Sequence, residues 1–250
     1  MPDFYISAPL PCPYIEGLEE RKLFTLIDEQ MMDDTVINRL NSLLVEKGFR
    51  RSQNILYRPA CDSCSACVPV RLVVGAGFTF SRSARRLLQH NSDLTCHIMP
   101  AIAETEHFEL FSAYQQHRHE NSSMASMDWK EFKAMVEQAP SDTCLWEWRD
   151  PTGKLLACCL VDHLINGYSA VYSFFEPTLS KRGLGSFMVW YLARKLLERV
   201  QQARAPRDLY VYLGYWIRQC HKMAYKVKFQ PMQRLSAEGW RDIEIGDMVD

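Results

Sequence analysis

The chain has 250 residues, of which 47 % are hydrophobic, 24 % charged and 12 % aromatic. These are globular values and exclude disordered, collagen-like and coiled-coil chains. The length suits one large domain or two small ones with a sizeable core. No apolar run reaches the roughly 18 to 20 residues of a membrane span. The start, MPDFYISAPLPCPYIEG, lacks the basic and apolar stretches of a secretory signal. Nine cysteines, an odd number, suit a reducing cytoplasm in which thiols stay free or ligate metal.

The net charge of −1 hides an asymmetry. Between Lys47 and Arg86 stand Lys47, Arg50, Arg51, Arg58, Arg71, Arg82, Arg85 and Arg86 against the single acid Asp62, a net +7 that leaves −8 for the rest. Seven of the eight bases are arginine, whose planar fork suits phosphate. The same charges would also serve as an ordinary solvated surface. Neither zinc-finger spacing nor a basic zipper is present, so nothing points to a reader of double-helical DNA.

In chain order, residues 1–32 read as loop. Asp34 is placed to cap a helix to Lys47 with Leu40, Leu43 and Leu44 on one face and Gly48 as its stop. Asn54–Tyr57 and Val68–Val74 read as strands, and Ser81–Gln89 as an arginine-crowded helix. Glu106–His119 and Asp128–Gln138 are two further helices. Thr143–Arg149, Lys154–His163 and Tyr168–Phe175 form a strand meander, its second turn the hairpin signal Asn166-Gly167. A long amphipathic helix (Leu184–Arg199), a strand (Asp208–Leu213) and a short helix (Ile217–Tyr225) complete the pattern. A boundary near residue 103 would separate a cysteine-bearing, arginine-rich region, 1–103, from a second unit, 104–250.

Three groups of residues carry chemistry. Cys61-Asp-Ser-Cys64-Ser-Ala-Cys67, with Cys12 upstream, has the spacing of a thiolate metal site, where a tight turn brings sulfurs to one point. Buried small hydrophobes are the competing reading there. For Cys96, Cys144, Cys158, Cys159 and Cys220 a core role is the expectation. Next, Ser180-Lys-Arg-Gly183-Leu-Gly185-Ser sits between the meander and the long helix, where backbone N–H groups and the helix dipole attract an anion. Meander, glycine-rich turn and long helix follow the order of GNAT acyltransferases. Ser180 stands where their turn carries Gln or Arg, which argues against acetyl-CoA. Finally, Tyr210-Val-Tyr212-Leu-Gly-Tyr215-Trp and Lys222-Met-Ala-Tyr225-Lys226 interleave aromatics with cations. Such a run can fill a core strand or stack unpaired nucleotides.

Together these stretches resemble the arginyl/leucyl-tRNA–protein transferases, most closely the bacterial aspartate/glutamate leucyltransferases. The resemblance runs from Pro11-Cys12-Pro-Tyr14 through Gly48-Phe-Arg-Arg-Ser52, Tyr57-Arg-Pro59, the cysteine cluster, Val70-Arg71-Leu72 and Phe80-Ser-Arg-Ser-Ala-Arg-Arg86. It continues in Tyr114-Gln115, Arg118-His119, Phe175-Glu-Pro177, Leu184-Gly185, Tyr212-Leu-Gly-Tyr215 and Lys222-Met-Ala-Tyr-Lys226.

The resemblance implies an α+β protein with a GNAT-like domain, a mixed and largely antiparallel sheet flanked by helices, behind the cysteine-bearing region. It implies a cytoplasmic enzyme that moves leucine from Leu-tRNA to a protein's N-terminal Asp or Glu, creating a degradation signal. Arginyl transfer, an acetyl-CoA-dependent acetyltransferase and a noncatalytic RNA-binding module are the alternatives. The ester is already activated, so no cofactor is needed for chemistry. Cys12, Cys61, Cys64 and Cys67 would serve a structural or regulatory zinc ion or iron–sulfur cluster.

His119, Tyr114 and Gln115 are the catalytic candidates. Arg71 and Arg82, with Arg85 nearby, are candidates to bind the acceptor's carboxylate. Ser180, Lys181, Arg182, Gly183, Gly185, Lys222 and Lys226, with Tyr212, Tyr215 and Tyr225, are candidates for the RNA end. The backbone of Tyr168–Phe175 is expected to offer oxyanion donors.

Overall fold

The computed structural model describes residues 2–27, 33–118, 122–139, 142–203 and 207–243. Four strands lie where the sequence reads as loop: β1 (Tyr5–Ile6), β2 (Leu10–Pro11), β3 (Glu19–Glu20) and β4 (Lys22–Leu26). Helix α1 (Asp34–Glu46) follows, capped by Asp33, whose carboxylate accepts from Val36 N at 2.9 Å. Its buried stripe is Ile37, Asn41, Ser42 and Val45, while Leu43 is 52 % exposed. The expected leucine face is only partly right: Leu44 packs against the cluster of Ile37, Phe49 and Leu56, whereas Leu43 falls outside the inward side that runs through 37, 41 and 45.

Strands β5 (Arg50–Ser52), β6 (Ile55–Pro59) and β7 (Val68–Val74) precede α2 (Arg82–His90), β8 (Thr95–Pro100), α3 (Thr105–Arg118) and α4 (Trp129–Glu137). The meander is β9 (Thr143–Arg149), β10 (Leu155–Leu164) and β11 (Gly167–Phe175). Helix α5 (Leu184–Gln202) leads to β12 (Leu209–Trp216). The expected last helix shrinks to α6 (His221–Ala224) and a single 3-10 turn, followed by the unexpected hairpin β13 (Met232–Ser236) and β14 (Gly239–Asp242).

The front strands form a small antiparallel sheet in the order β1-β4-β6-β5. The large sheet runs β14-β13-β7-β12-β11-β10-β9-β8. Strands β7 and β8 join it from before residue 103. All its neighbours are antiparallel except β11 and β12. Meander, crossover helix and parallel strand make this a GNAT-like α+β domain.

One face packs against α5 and α2 through Leu72, Trp148, Val161, Leu192 and Leu196. Strand alternation sends Cys158 to the opposite face, where Phe111, Phe132 and Phe174 pack under α3 and α4. The remainder of that second face lies under α1 and the small sheet. The two coverings meet over β11. The small sheet is fixed by Arg51, whose Nε and Nη2 donate to Asp162 at 2.8–3.2 Å with both side chains essentially fully buried. No helix among the described residues is long and apolar enough to cross a membrane.

Candidate active site

Parallel pairing between β11 and β12 covers only Gly167–Ser169 against Tyr210–Tyr212. Beyond that point the strands part, and among the described residues the β12-facing edge of Ala170–Phe175 has no strand partner. Two irregularities shape the opening. Val171 is the extra residue of a bulge against Leu160 and Val161 of β10. Leu213 and Gly214 together oppose Val70 of β7, with Gly214 at φ +70°. Glycine takes that conformation without strain and marks a bulge that turns the strand.

Three phenols gather around this opening. Gln115 Nε2 donates to the Tyr172 hydroxyl, and Ser122 Oγ donates to Gln115 Oε1 at 3.3 Å. The Tyr114 ring lies 4.9 Å from that of Phe175, and Arg118 stands 5.5 Å from the same Phe175 ring. Desolvation raises the hydroxyl pKa of Tyr114, Tyr172 and Tyr225. All three therefore keep their protons near neutrality and can donate hydrogen bonds. The structure thus brings Tyr114 and Gln115 of α3 together with Tyr225, more than a hundred residues on in sequence. It adds Tyr172 and Arg118. His119 lies outside the described residues.

The start of α5 borders the opening. Gly183 holds φ +58°, and a Cβ on Gly185 would sit 3.0 Å from the Phe175 ring. These glycines are set by close packing of the turn. Ser180 and Lys181 are exposed, while Arg182 is spent on Asp93 at 2.7 Å. Arg82, Arg86, His90 and Lys181 line an open depression of about 870 Å³, and Arg85 is exposed on the same helix. Lys228 donates to Ser186 Oγ at 2.8 Å, placing a cation at the helix N-terminus.

Several candidates sit elsewhere. Arg71 is 5 % exposed; its Nε and Nη2 donate to Gln233 Oε1 at 3.0 and 2.8 Å. The Tyr210 and Trp240 rings lie 3.5 and 4.2 Å from its guanidinium, which leaves no room for a substrate carboxylate. Tyr212 is buried and accepts from Arg71 and Asn166. Tyr215 is buried and donates to the carbonyls of Gly48 and Tyr57. Neither ring offers a face to RNA, because both fasten β12 to its neighbours. Lys222 is exposed. Lys226 is buried, donating to the Tyr215 carbonyl at 2.6 Å, and burial with nearby Arg50 pulls its pKa down to about 7. It is not a surface phosphate contact.

Cys12, Cys61, Cys64 and Cys67 occupy one corner of the small sheet. Burial, then the other three thiols, pushes the Cys67 thiol up to about 12. The donor set is right for zinc or an iron–sulfur cluster, though no three of the sulfurs lie within 4.8 Å of one another. Asp142, Cys144 and His163 do meet that spacing. There, however, Trp146 Nε1 donates to His163 Nε2 at 3.4 Å. That bond selects the tautomer with its proton on Nδ1, the nitrogen facing Asp142. Cys158 and Cys159 are buried as expected, whereas Cys96, Cys144 and Cys220 are only partly so.

Residues 106–236 match the family model described as arginine-tRNA-protein transferase, C terminus, and residues 10–86 match its N-terminus counterpart. The chain belongs to the arginine-tRNA-protein transferase family. A relative from Paramagnetospirillum magneticum, named aspartate/glutamate leucyltransferase, is 43 % identical over 244 residues, 98 % of this chain and 95 % of the relative. Another of that name from Parvibaculum lavamentivorans is 47 % identical over 240 residues, 96 % and 94 % of the two chains. Among solved structures, L-PGS from Bacillus licheniformis is similar at TM-score 0.44 and 11 % identity, over 60 % of this chain and 46 % of that one. The family is one of aminoacyl-tRNA–protein transferases, and the opening between β11 and β12 is its candidate active site here.

Proposed function

We propose that this chain transfers leucine from Leu-tRNA to the N-terminal Asp or Glu of acceptor proteins, through the opening between β11 and β12. The observation that carries the reading is the family membership of both halves, together with the protonated phenols at that opening. The naming of full-length relatives as aspartate/glutamate leucyltransferases supports leucine over arginine as the donated residue.

The chemistry is aminolysis of an ester. The acceptor's α-ammonium has an ordinary pKa of about 7.7–8.0, so a useful neutral fraction exists near pH 7.5. The amine attacks the leucyl carbonyl, a tetrahedral oxyanion forms, and its collapse expels the ribose hydroxyl of the tRNA end. Tyr172 is placed to donate to that oxyanion. Its oxygen already accepts from Gln115, so its own proton is directed elsewhere. The remaining contribution is positioning. Arg82, Arg86, Lys181 and Lys228 supply cations for the phosphates at the RNA end.

Cys12, Cys61, Cys64 and Cys67 would hold a zinc ion or an iron–sulfur cluster. Bound there, it would tie the β2–β3 segment to the loop after β6 and supply structural restraint.

The test is transfer of labelled leucine or arginine from charged tRNA to peptides beginning Asp, Glu, Lys or Ala. Leucine on the Asp and Glu peptides alone is the expected result. Arginine transfer would replace the donor assignment, and reaction with acetyl-CoA alone would end the proposal.

A further inference from the structure

Several of the arginines drawn into this fold have dedicated partners. Arg51 holds Asp162, Arg149 holds Glu106 and Glu147, and Arg182 holds Asp93. Arg71 spends its two-pronged edge on Gln233 and its faces on aromatic rings. Arg50, one residue from Arg51, is different. Strand alternation sends it away from Asp162 and across to the opening, where its Nη2 donates to the Val171 carbonyl at 2.7 Å. No carboxylate among the described residues lies within ion-pair distance of it, and its Nε and Nη1 make no hydrogen bond there. None of its nitrogens is both buried and unpartnered, so the unspent donors are open to an incoming anion, which a guanidinium fork receives well.

The local architecture makes room for this arrangement. A Cβ at Gly214 would fall directly on Arg50 Nη1, so the bulge glycine of β12 is what admits the guanidinium. Around it stand hydroxyls rather than acids: Tyr14, Tyr215 and Tyr225 all sense its positive charge. Lys226, held against the Tyr215 carbonyl, adds a second basic group nearby. Tyr225 in turn senses Arg118 at the rim. The phosphate-facing cations, by contrast, are on the open surface of α2 and at Lys181.

We propose that Arg50 is the specificity-determining residue that binds the side-chain carboxylate of the acceptor's N-terminal Asp or Glu. The inference rests on the transfer reading above and adds a substrate contact to it. With the carboxylate on Arg50 beside Val171, the acceptor's first nitrogen is held at the same opening as Tyr172. Gly214 and Val171 then act as positioning residues, one by leaving space and one by fixing the fork through its carbonyl.

Arg50→Gln removes the charge and keeps an amide donor for the Val171 carbonyl. Steady-state transfer from Leu-tRNA is measured with peptides that begin Asp or Asn, together with the Kd for Leu-tRNA. The kcat/KM for the Asp peptide should fall roughly 30-fold, chiefly through KM, as expected for a lost charged hydrogen-bond pair. The Asn peptide and Leu-tRNA binding should each stay within about threefold. Gly214→Ala is the second variant, since it pushes the guanidinium aside with its charge intact; the same selective loss is expected. An equal fall for both peptides, weakened Leu-tRNA binding or an unaltered Asp preference in the folded variants would overturn the assignment. A wild-type enzyme that transfers leucine without preferring Asp over Asn contradicts the acceptor reading itself; a wild-type preference that survives both variants contradicts the Arg50 inference alone.

Discussion

Arg51 and Asp162 form a buried two-pronged ion pair between the small front sheet and β10, with Thr143 Oγ1 donating to the same carboxylate at 2.7 Å. Breaking such a pair from one side strands a charge in the interior. Arg51→Met and Asp162→Asn should each cost about 3–5 kcal/mol in urea unfolding, and an apolar double replacement should recover much of that loss. If the single variants unfold like wild type, the pair does not hold the two sheets together.

Lys226 provides a pH signature. Its pKa is about 7 in the fold against the ordinary 10.5, because burial, then Arg50, disfavours the charged amine. Between those values the unfolded chain binds more protons, so the lysine's penalty is full below about pH 7 and fades as pH rises. Wild type should therefore gain about 1.4 kcal/mol per pH unit relative to Lys226→Met over roughly pH 7.5–8.5. Parallel stability curves for the two proteins would show that the buried amine is not neutralised in the fold.

Tyr172 and Gln115 share one hydrogen bond, so their effects on transfer should not add. Tyr172→Phe should lower kcat by about 10² with little change in KM, as for loss of one oxyanion donor. Gln115→Met should cost less alone and almost nothing further in the Tyr172→Phe background. Full additivity in rapid-quench kinetics would separate the two residues.

The open basic surface should reveal itself through salt. Replacing Arg82, Arg86 or Lys181 by Ala should reduce the slope of log Kd for Leu-tRNA against log salt by about 0.7–0.9 each. Peptide KM should be unaffected. A slope that does not move would remove that surface from the RNA path.

Periodicity made the meander, α2, α3, α5 and β7 legible in the sequence. It missed β1 to β3, which are two residues long and too short for alternation to register, and also β4, β5, β8, β13 and β14, short strands without a clear apolar alternation. It misjudged Leu43 because hydrophobicity, not partner geometry, set the expected face of α1. At the site, Tyr114, Gln115 and Tyr225 were legible through the family resemblance, and the fold then brought them together. Arg50 was not legible as a site residue. Its hydrogen-bond partner is a carbonyl 121 residues away, and the space it occupies exists because Gly214 lacks a side chain. Arg71 looked as eligible as any arginine until its register opposite Tyr212 and Gln233 placed it inside an aromatic cage.

The decisive measurement of leucyl transfer is a single-turnover reaction of excess enzyme with labelled Leu-tRNA and an Asp-initiated peptide. The label should leave the RNA and appear in a new N-terminal peptide bond, without added coenzyme A or nucleotide. Label that stays on the RNA, or is released only as free leucine while the peptide is unchanged, would contradict leucyl transfer.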